Sequence, residues 1–268
     1  MEPLVFILDL DGTIIGDCSY QVMLYNIDSI VKENKLKSNI NKMLLNSYKP
    51  NTRLVRPYFK YFISTIKKNY PNSLFFVYTA SEKSWANKEI GYIEKTHGIK
   101  FNRPIFTRED CITDSFGNLR KSVKKILPKI NKVAKKEIPT DKILIVDNND
   151  VFIDYKSNFL LCPTYDYVLF NNVWEIMKKE YMKIMEIYKI ITNLISSNKV
   201  CKYCDYKIEP HDTATLEQKH KWLYKKHKKI NSMNKVYLKD IFWKKLTSNI
   251  IENKIESFNK ETIVMISN

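Results

Sequence analysis

The most regular feature of the chain is a short run of nearly continuous apolar residues that ends in polar side chains and occurs three times. The runs are Leu4–Leu10, Leu74–Thr79 and Ile143–Asp147. Central strands of a parallel sheet are buried on both faces, so they lack the apolar–polar alternation of a half-exposed strand. The three runs therefore predict three neighbouring parallel strands.

Stretches with helical spacing of apolar residues separate these runs. They are Pro57–Lys68, Ser81–Thr96 and Ser122–Val133. Strands that alternate with helices predict an α/β fold, here a doubly wound parallel sheet. In such sheets ligands bind outside the carboxyl ends of the strands, which is where the polar residues of each run stand.

Two segments do not fit the simple alternation. Residues 21–48 have mixed helical patterning and are too long for one crossover helix, so they predict a helical insertion after the first strand. After Asn172 apolar residues recur every three or four positions, and the chain becomes rich in lysine. We therefore expect an α/β domain over residues 1–172 and a helical extension over residues 173–268.

The charge raises the question of nucleic-acid binding. The formal net charge is +16, but only five of the 45 basic residues are arginine and the charge is spread along the chain. In Lys219–Lys229, lysines alternate with Trp222 and Tyr224, a pattern that also occurs in single-strand binding proteins. A solvated lysine surface accounts for the same pattern, so nucleic acid is an open alternative and not the favoured partner.

Other features of the composition predict the compartment. No run of about 18 apolar residues is present, which argues against a membrane span. The N-terminus lacks the basic start and the small-residue cleavage site of a signal peptide. The chain has five cysteines, an odd number that argues against a disulfide scaffold. We expect a reducing intracellular compartment, with cytoplasm and nucleus both open.

The first apolar run ends in two carboxylates, Asp9 and Asp11, followed by Gly12 and Thr13. Side chains two apart on a strand face the same way, so both carboxylates can reach one pocket. Two carboxylates at close range repel each other unless a cation or a shared proton intervenes, and Mg²⁺ prefers oxygen ligands. A simple turn after a buried strand is the alternative, because Asp and Gly are common in turns.

Four groups of polar residues follow one another along the chain: Asp9–Thr13, Thr79, Lys121 and Asp147–Asn148. Their types and order resemble the four motifs of the haloacid dehalogenase superfamily of phosphohydrolases. The resemblance implies that Asp9 attacks phosphorus and that Asp11 protonates the leaving oxygen and then activates water. It implies that Thr79 holds the phosphate and that Lys121 neutralises its charge. Each residue alone has an ordinary alternative, such as a strand-end cap at Thr79 or an exposed lysine at Lys121.

The same resemblance implies a magnesium site. Its ligands would come from Asp9, the backbone carbonyl of Asp11 and Asn148, with Asp147 close by. The chemistry agrees with these residue types, because a phosphomonoester dianion repels nucleophiles and needs positive charge nearby.

Further stretches resemble the FCP-homology branch of that superfamily, which includes the NLI-interacting-factor-like phosphatases. They are Val77–Ser81, Phe106–Cys111, Gly117–Ser122 and Lys142–Asn149. The branch removes phosphate from serine or threonine in proteins, chiefly in the RNA polymerase II tail. The resemblance therefore implies a phosphorylated protein segment as partner.

Four residues are candidate substrate contacts in this interpretation. Trp85 and Arg108 would flank a groove, and Thr13 and Ala80 are the other two candidates. A helix-packing aromatic and a surface ion pair are the alternatives for Trp85 and Arg108.

The chain departs from the branch at several positions, and the departures keep other functions open. Gly12 stands where Glu is usual, Asp150 stands where Pro is usual, and the insertion at residues 21–48 is helical in pattern. Helical inserts at this point act in the wider superfamily as caps that select small molecules. A small-molecule or polynucleotide-end phosphatase and an idle binding or scaffold protein are therefore the alternatives.

The extension contains a candidate zinc site. Cys201 and Cys204 form a Cys-x₂-Cys pair, and His220 follows after fifteen intervening residues. His220 and His227 have six residues between them, which is more than zinc sites usually have. Two reduced cysteines with solvent-facing histidines are the alternative interpretation.

Overall fold

The apolar runs of the sequence form one parallel sheet. A computed structural model describes residues 2–32, 34–169, 228 and 232–267. In this part of the chain four strands pair in the order β2-β1-β5-β6, and two further strands form a small antiparallel pair. The strands are β1 (Val5–Leu8), β2 (Leu74–Val77), β3 (Ile112–Thr113), β4 (Leu119–Arg120), β5 (Ile143–Asp147) and β6 (Phe159–Leu161).

Strand β1 is the centre of the sheet. Val5 pairs with Leu74 of β2 on one side and with Ile143 of β5 on the other, both in parallel register. All four residues of β1 are completely buried. Burial on both faces explains the unbroken apolar run, and it confirms the predicted parallel α/β sheet.

The three helices predicted between the apolar runs are also present, with ends within two residues of the sequence pattern. They are α3 (Phe59–Asn69), α4 (Lys83–His97) and α5 (Val123–Ala134). The other described helices are α1 (Ser19–Ile30), α2 (Asn34–Ser47), α6 (Phe242–Glu252) and α7 (Lys260–Ser267). In α3 the buried residues Phe59, Phe62, Ile63 and Ile66 follow the helical spacing that defined the prediction. Helix α4 ends at Gly98, whose φ of +62° suits glycine.

The chain divides into two compact units. The first unit consists of residues 1–16, 49–166 and 240–268, and the second consists of residues 17–48 and 167–239. Helices α1 and α2 form the predicted helical insertion and belong to the second unit. Within that unit, Asn41 Nδ2 donates to Asp28 Oδ1 over 2.8 Å, which joins α2 to α1.

The last described helices belong to the first unit. Trp243 of α6 is completely buried, and its ring centroid lies 5.0 Å from that of Phe59 and 4.7 Å from that of Phe62, both in α3. The side-chain amide of Asn158 donates to the backbone carbonyl of Phe258 over 2.8 Å. Residues 240–268 thus complete the core of the first unit, while the domain boundary expected near Asn172 stays a prediction.

Among the described residues, no helix has both the length and the apolar character that a membrane crossing requires. Three cysteines lie in the described part of the chain, Cys18, Cys111 and Cys162, and all three are buried.

Candidate active site

A buried lysine joins two aspartates at the carboxyl ends of β1 and β5. Lys121 Nζ lies 2.6 Å from Asp9 Oδ1 and 2.7 Å from Asp147 Oδ2. All three side chains are less than a tenth exposed. Burial by itself lowers the pKa of Lys121, but Asp9 and Asp147 outweigh it and raise the pKa above its usual range. Lys121 is therefore a fixed positive charge beside both carboxylates.

The backbone on both sides of Lys121 holds it in this position. Its N–H donates to the Val151 carbonyl and its carbonyl accepts from the Ile153 N–H, each over 3.0 Å. Helix α5 begins two residues later, with Ser122 as its N-cap. The Asp154 carboxylate accepts from Ser122 Oγ over 2.6 Å and from the Val123 N–H over 2.8 Å, and so fixes the start of the helix.

Asp11 lies beside the residues that follow β2. Its Oδ2 accepts from Ser81 Oγ over 2.8 Å and from Thr79 Oγ1 over 3.4 Å. By its exposed area Asp11 is a surface residue, but protein atoms closely surround its carboxyl group. This partial desolvation and the nearby charge of Asp9 raise the pKa of Asp11 to about 6, although Ser81, Lys121 and Thr79 act in the opposite direction. A carboxyl group with this pKa exchanges protons near neutral pH.

Gly12 brings the loop after β1 against the loop after β5. Its φ is +80°, and a Cβ built on it would lie 2.6 Å from Asn148 Nδ2. Thr13 Oγ1 donates to Asn148 Oδ1 and accepts from the Asn148 N–H, each over 3.1 Å. Glycine is therefore required here, where the resembled branch usually has Glu. Thr13 is completely buried and its hydroxyl bonds Asn148, while its contact with a substrate stays a prediction.

The oxygen atoms at this site fit a magnesium ion. Asp9 and Asp147 both contact the Lys121 ammonium, and the charge of Asp9 also acts on the carboxyl group of Asp11. Burial and the charge of Asp9 raise the pKa of Asp147 as well, although Lys121 opposes them. A divalent cation would relieve this surplus of negative charge, and all the candidate ligand atoms are oxygens. The described residues contain no group of three His, Cys, Asp or Glu side chains that could hold a metal, so a backbone carbonyl and the Asn148 amide would have to contribute.

Two of the predicted substrate contacts meet at the edge of the site. Arg108 Nε donates to the Ala80 carbonyl over 2.9 Å, and the Arg108 N–H donates to the Ser81 carbonyl over 3.1 Å. The Arg108 side chain is about half exposed and also approaches Glu82. Trp85 is half-buried in the first turn of α4, and its contact with a substrate stays a prediction.

Some residues that shape the site carry no separate signal in the sequence. Ser81 falls inside a motif, but the family resemblance implies no role for it. Its bond to Asp11 depends on the turn after β2. Asp154 and Cys162 reach Ser122 and Thr13 through contacts that span 32 and 149 residues. Contacts this far apart in sequence follow from the fold and not from local spacing.

The predicted zinc ligands Cys201, Cys204 and His220 lie outside the described residues, and the zinc prediction gains no support here. The basic and aromatic stretch Lys219–Lys229 also lies outside them, apart from Lys228.

A parallel sheet with paired carboxylates at the end of its central strand and a lysine beside them is the arrangement of the haloacid dehalogenase superfamily of phosphatases. The chain belongs to the NLI interacting factor-like phosphatase family, whose sequence model matches residues 4–196. A search of curated proteins finds no match.

Solved phosphatase structures resemble the chain at low sequence identity. A structure of Fcp1, described as an essential RNA polymerase II CTD phosphatase, is 19% identical, with 98% of this chain and 69% of that chain covered and a TM-score of 0.40. The fission yeast Fcp1 variant bound to beryllium fluoride is 15% identical, with 98% and 70% covered and a TM-score of 0.40. A phosphoserine phosphohydrolase-like protein from Francisella tularensis is 14% identical, with 56% and 80% covered and a TM-score of 0.31.

Proposed function

We propose that the chain is a Mg²⁺-dependent phosphomonoesterase that works through an aspartyl-phosphate on Asp9 and removes phosphate from serine or threonine in proteins. The observation that carries the proposal is the buried bridge from Lys121 to Asp9 and Asp147, with the proton-exchanging Asp11 beside it. Membership of a phosphatase family supports the reaction class.

In the first step an oxygen of Asp9 attacks phosphorus, and the bond from phosphorus to the substrate oxygen breaks. Lys121, 2.6 Å from Asp9 Oδ1, orients the nucleophile and offsets the charge of the incoming phosphate. Asp11 gives its proton to the leaving alkoxide. A pKa of about 6 leaves a usable share of Asp11 protonated near neutral pH.

In the second step the Asp11 carboxylate accepts a proton from water as the water oxygen attacks phosphorus. The bond between phosphorus and Asp9 breaks, phosphate leaves, and Asp11 is again protonated. Thr79 binds a phosphate oxygen in this proposal, which is supported by the position of its hydroxyl 3.4 Å from Asp11 Oδ2. Mg²⁺ bound by Asp9, the Asp11 carbonyl and Asn148, with Asp147 close by, would supply positive charge to the phosphate oxygens.

The proposed protein substrate rests on the motifs shared with the FCP-homology branch and on the position of Arg108. Ala80 holds Arg108 at the edge of the site, where a half-exposed guanidinium can contact a peptide. The alternatives are a small-molecule or polynucleotide-end phosphatase and an idle scaffold. Asp9 is buried and ion-paired, and Asp11 has a raised pKa. These two features argue against a scaffold, which would need neither a nucleophile nor a general acid.

The substrate class is tested by comparing kcat/KM on phosphopeptides, including RNA polymerase II tail peptides, on free nucleotides and on 3′-phosphorylated DNA. We expect the phosphopeptides to be the best substrates. A free nucleotide or DNA end hydrolysed a hundredfold better would contradict the protein-phosphatase proposal, and no turnover of any phosphomonoester would contradict the enzyme itself.

The metal is tested by removing it. Excess EDTA should abolish turnover, and added Mg²⁺ should restore it. Activity that persists unchanged in EDTA would overturn the magnesium assignment while leaving the substrate comparison intact.

A further inference from the structure

Arg56 is a buried cation outside the catalytic cluster. Its side chain is about 1% exposed, and its guanidinium lies 4.5 Å from the ring centroid of Phe242. Arg56 Nη1 donates to the Pro163 carbonyl over 2.9 Å and approaches Cys162 Sγ at 3.8 Å. The side chain therefore anchors the segment that follows β6.

That segment, residues 162–165, is here named the brace loop, because it contacts both loops that would hold the metal. The Cys162 N–H donates to the Asp147 carbonyl over 2.9 Å, and Cys162 Sγ contacts Thr13 Oγ1 at 3.7 Å. Asn148 Nδ2 donates to Thr164 Oγ1 over 3.3 Å. The Tyr165 N–H donates to the Gly12 carbonyl over 2.8 Å. The brace loop therefore supports the Asn148 amide in two ways. Thr164 bonds the amide directly, and Cys162 contacts Thr13, which also bonds the amide.

The charge of Arg56 is balanced by a residue 184 positions away. Asp240 Oδ1 accepts from Arg56 Nε over 3.1 Å, and Asp240 Oδ2 accepts from Nη2 over 2.8 Å. A bidentate pair fixes the plane of the guanidinium as well as its charge. Without Asp240 the buried cation would have to move toward water and would draw away from Pro163.

We propose that Asp240 is a positioning residue for the magnesium site: it orients Arg56, which holds the brace loop against the Asp9–Thr13 and Asp147–Asn148 loops. The inference rests on the proposed function, because it concerns the affinity of that site for Mg²⁺. The inference assigns the segment after residue 239 a part in magnesium binding, although this segment lies far from the carboxylates in sequence.

The test uses the full chain with Asp240→Ala and, as a matched control, Glu94→Ala. Glu94 forms a bidentate pair with Arg103, at 2.9 and 2.8 Å, in the same unit and without contact to the brace loop. Calorimetric titration with Mg²⁺ should show affinity about tenfold weaker in Asp240→Ala and unchanged in Glu94→Ala. The Mg²⁺ concentration for half-maximal phosphatase activity should rise by the same factor, while kcat at saturating Mg²⁺ stays near wild type.

The double variant Arg56→Met with Asp240→Leu covers the case in which Asp240→Ala does not fold. It removes both charges and the anchor to Pro163 while keeping apolar packing, so it should fold and show the same weakened Mg²⁺ binding. Wild-type Mg²⁺ affinity in a folded Asp240→Ala or in the double variant overturns this inference alone. A wild-type chain that binds no Mg²⁺ and hydrolyses no phosphomonoester overturns the proposed function together with it.

Discussion

Gly12 faces the amide of Asn148 so closely that the site has no room for a Cβ between them, since that atom would lie 2.6 Å from Asn148 Nδ2. The φ of +80° adds a second requirement for glycine. Gly12→Ala should therefore lower the free energy of unfolding by about 1–2 kcal/mol. It should also reduce kcat/KM about tenfold or more, because Asn148 must move.

Gly91, in the middle of α4, is the matched control for this substitution. A Cβ there meets nothing within 4 Å, so Gly91→Ala should raise the free energy of unfolding by about 1 kcal/mol without affecting catalysis. Urea unfolding and steady-state kinetics measure both effects. The same free energy of unfolding and the same kcat/KM in Gly12→Ala and Gly91→Ala would contradict the proposed role of Gly12.

Asp9→Asn should reduce turnover by about three orders of magnitude or more, because an amide oxygen is a poor nucleophile. The fold should persist, since Lys121 keeps its ion pair with Asp147. Beryllofluoride should bind wild type and not this variant. Asp150→Asn is the control, because Asp150 is an exposed residue that follows β5 and pairs with Lys156. Near-normal turnover by Asp9→Asn would show that another residue attacks phosphorus.

Asp11→Asn should affect substrates according to their leaving groups. Loss of a general acid should slow phosphoserine hydrolysis by about 10²–10⁴-fold and aryl phosphate hydrolysis much less, because an aryl oxide needs little protonation. The measurement is kcat/KM on a phosphoserine peptide and on an aryl phosphate with the same variant. Equal losses on both substrates would count against Asp11 as the acid.

Ser81→Ala should move the pH dependence of the first chemical step. Ser81 donates to the Asp11 carboxylate over 2.8 Å, which favours the ionised form and lowers the pKa of Asp11. Removing this bond should raise that pKa above its present value of about 6, so more Asp11 stays protonated as the pH rises. The alkaline limb of the pH–rate profile for hydrolysis of phosphoserine peptides should shift to higher pH. Ser84→Ala, at an exposed position of α4, should leave the limb unchanged.

The sequence predicted the sheet, and it predicted which residues would stand at the sheet's carboxyl edge, because both depend on local patterns. Each apolar run ends within two residues of the end of a strand, and parallel strands bring their carboxyl ends to one edge of the sheet. That edge is where Asp9, Thr79 and Asp147 stand. Lys121 was singled out from a lysine-rich stretch by its motif, and the structure buries it while leaving Lys124 exposed.

The parts that the sequence did not predict depend on contacts between distant residues or on short elements. Strands β3, β4 and β6 have two or three residues each, too few for a recognisable pattern. The pair of Arg56 and Asp240 joins two positions with no common motif. Nothing in the local pattern around Asp240 distinguishes it from the other acids of the extension.

The place of residues 240–268 in the first unit affects how the protein folds during synthesis. Domains commonly fold from the N-terminus while the rest of the chain is still being made. Here Trp243 packs beside Phe59 and Phe62, and Asp240 pairs with Arg56. Trp243 and Asp240 are therefore synthesised after residues 1–16 and 49–166 of the same unit. Until then an apolar helix face and a buried cation lack their partners. Until residues 240–258 have been made, the nascent chain must therefore hold Asp9 and Asp147 in a core that lacks these partners.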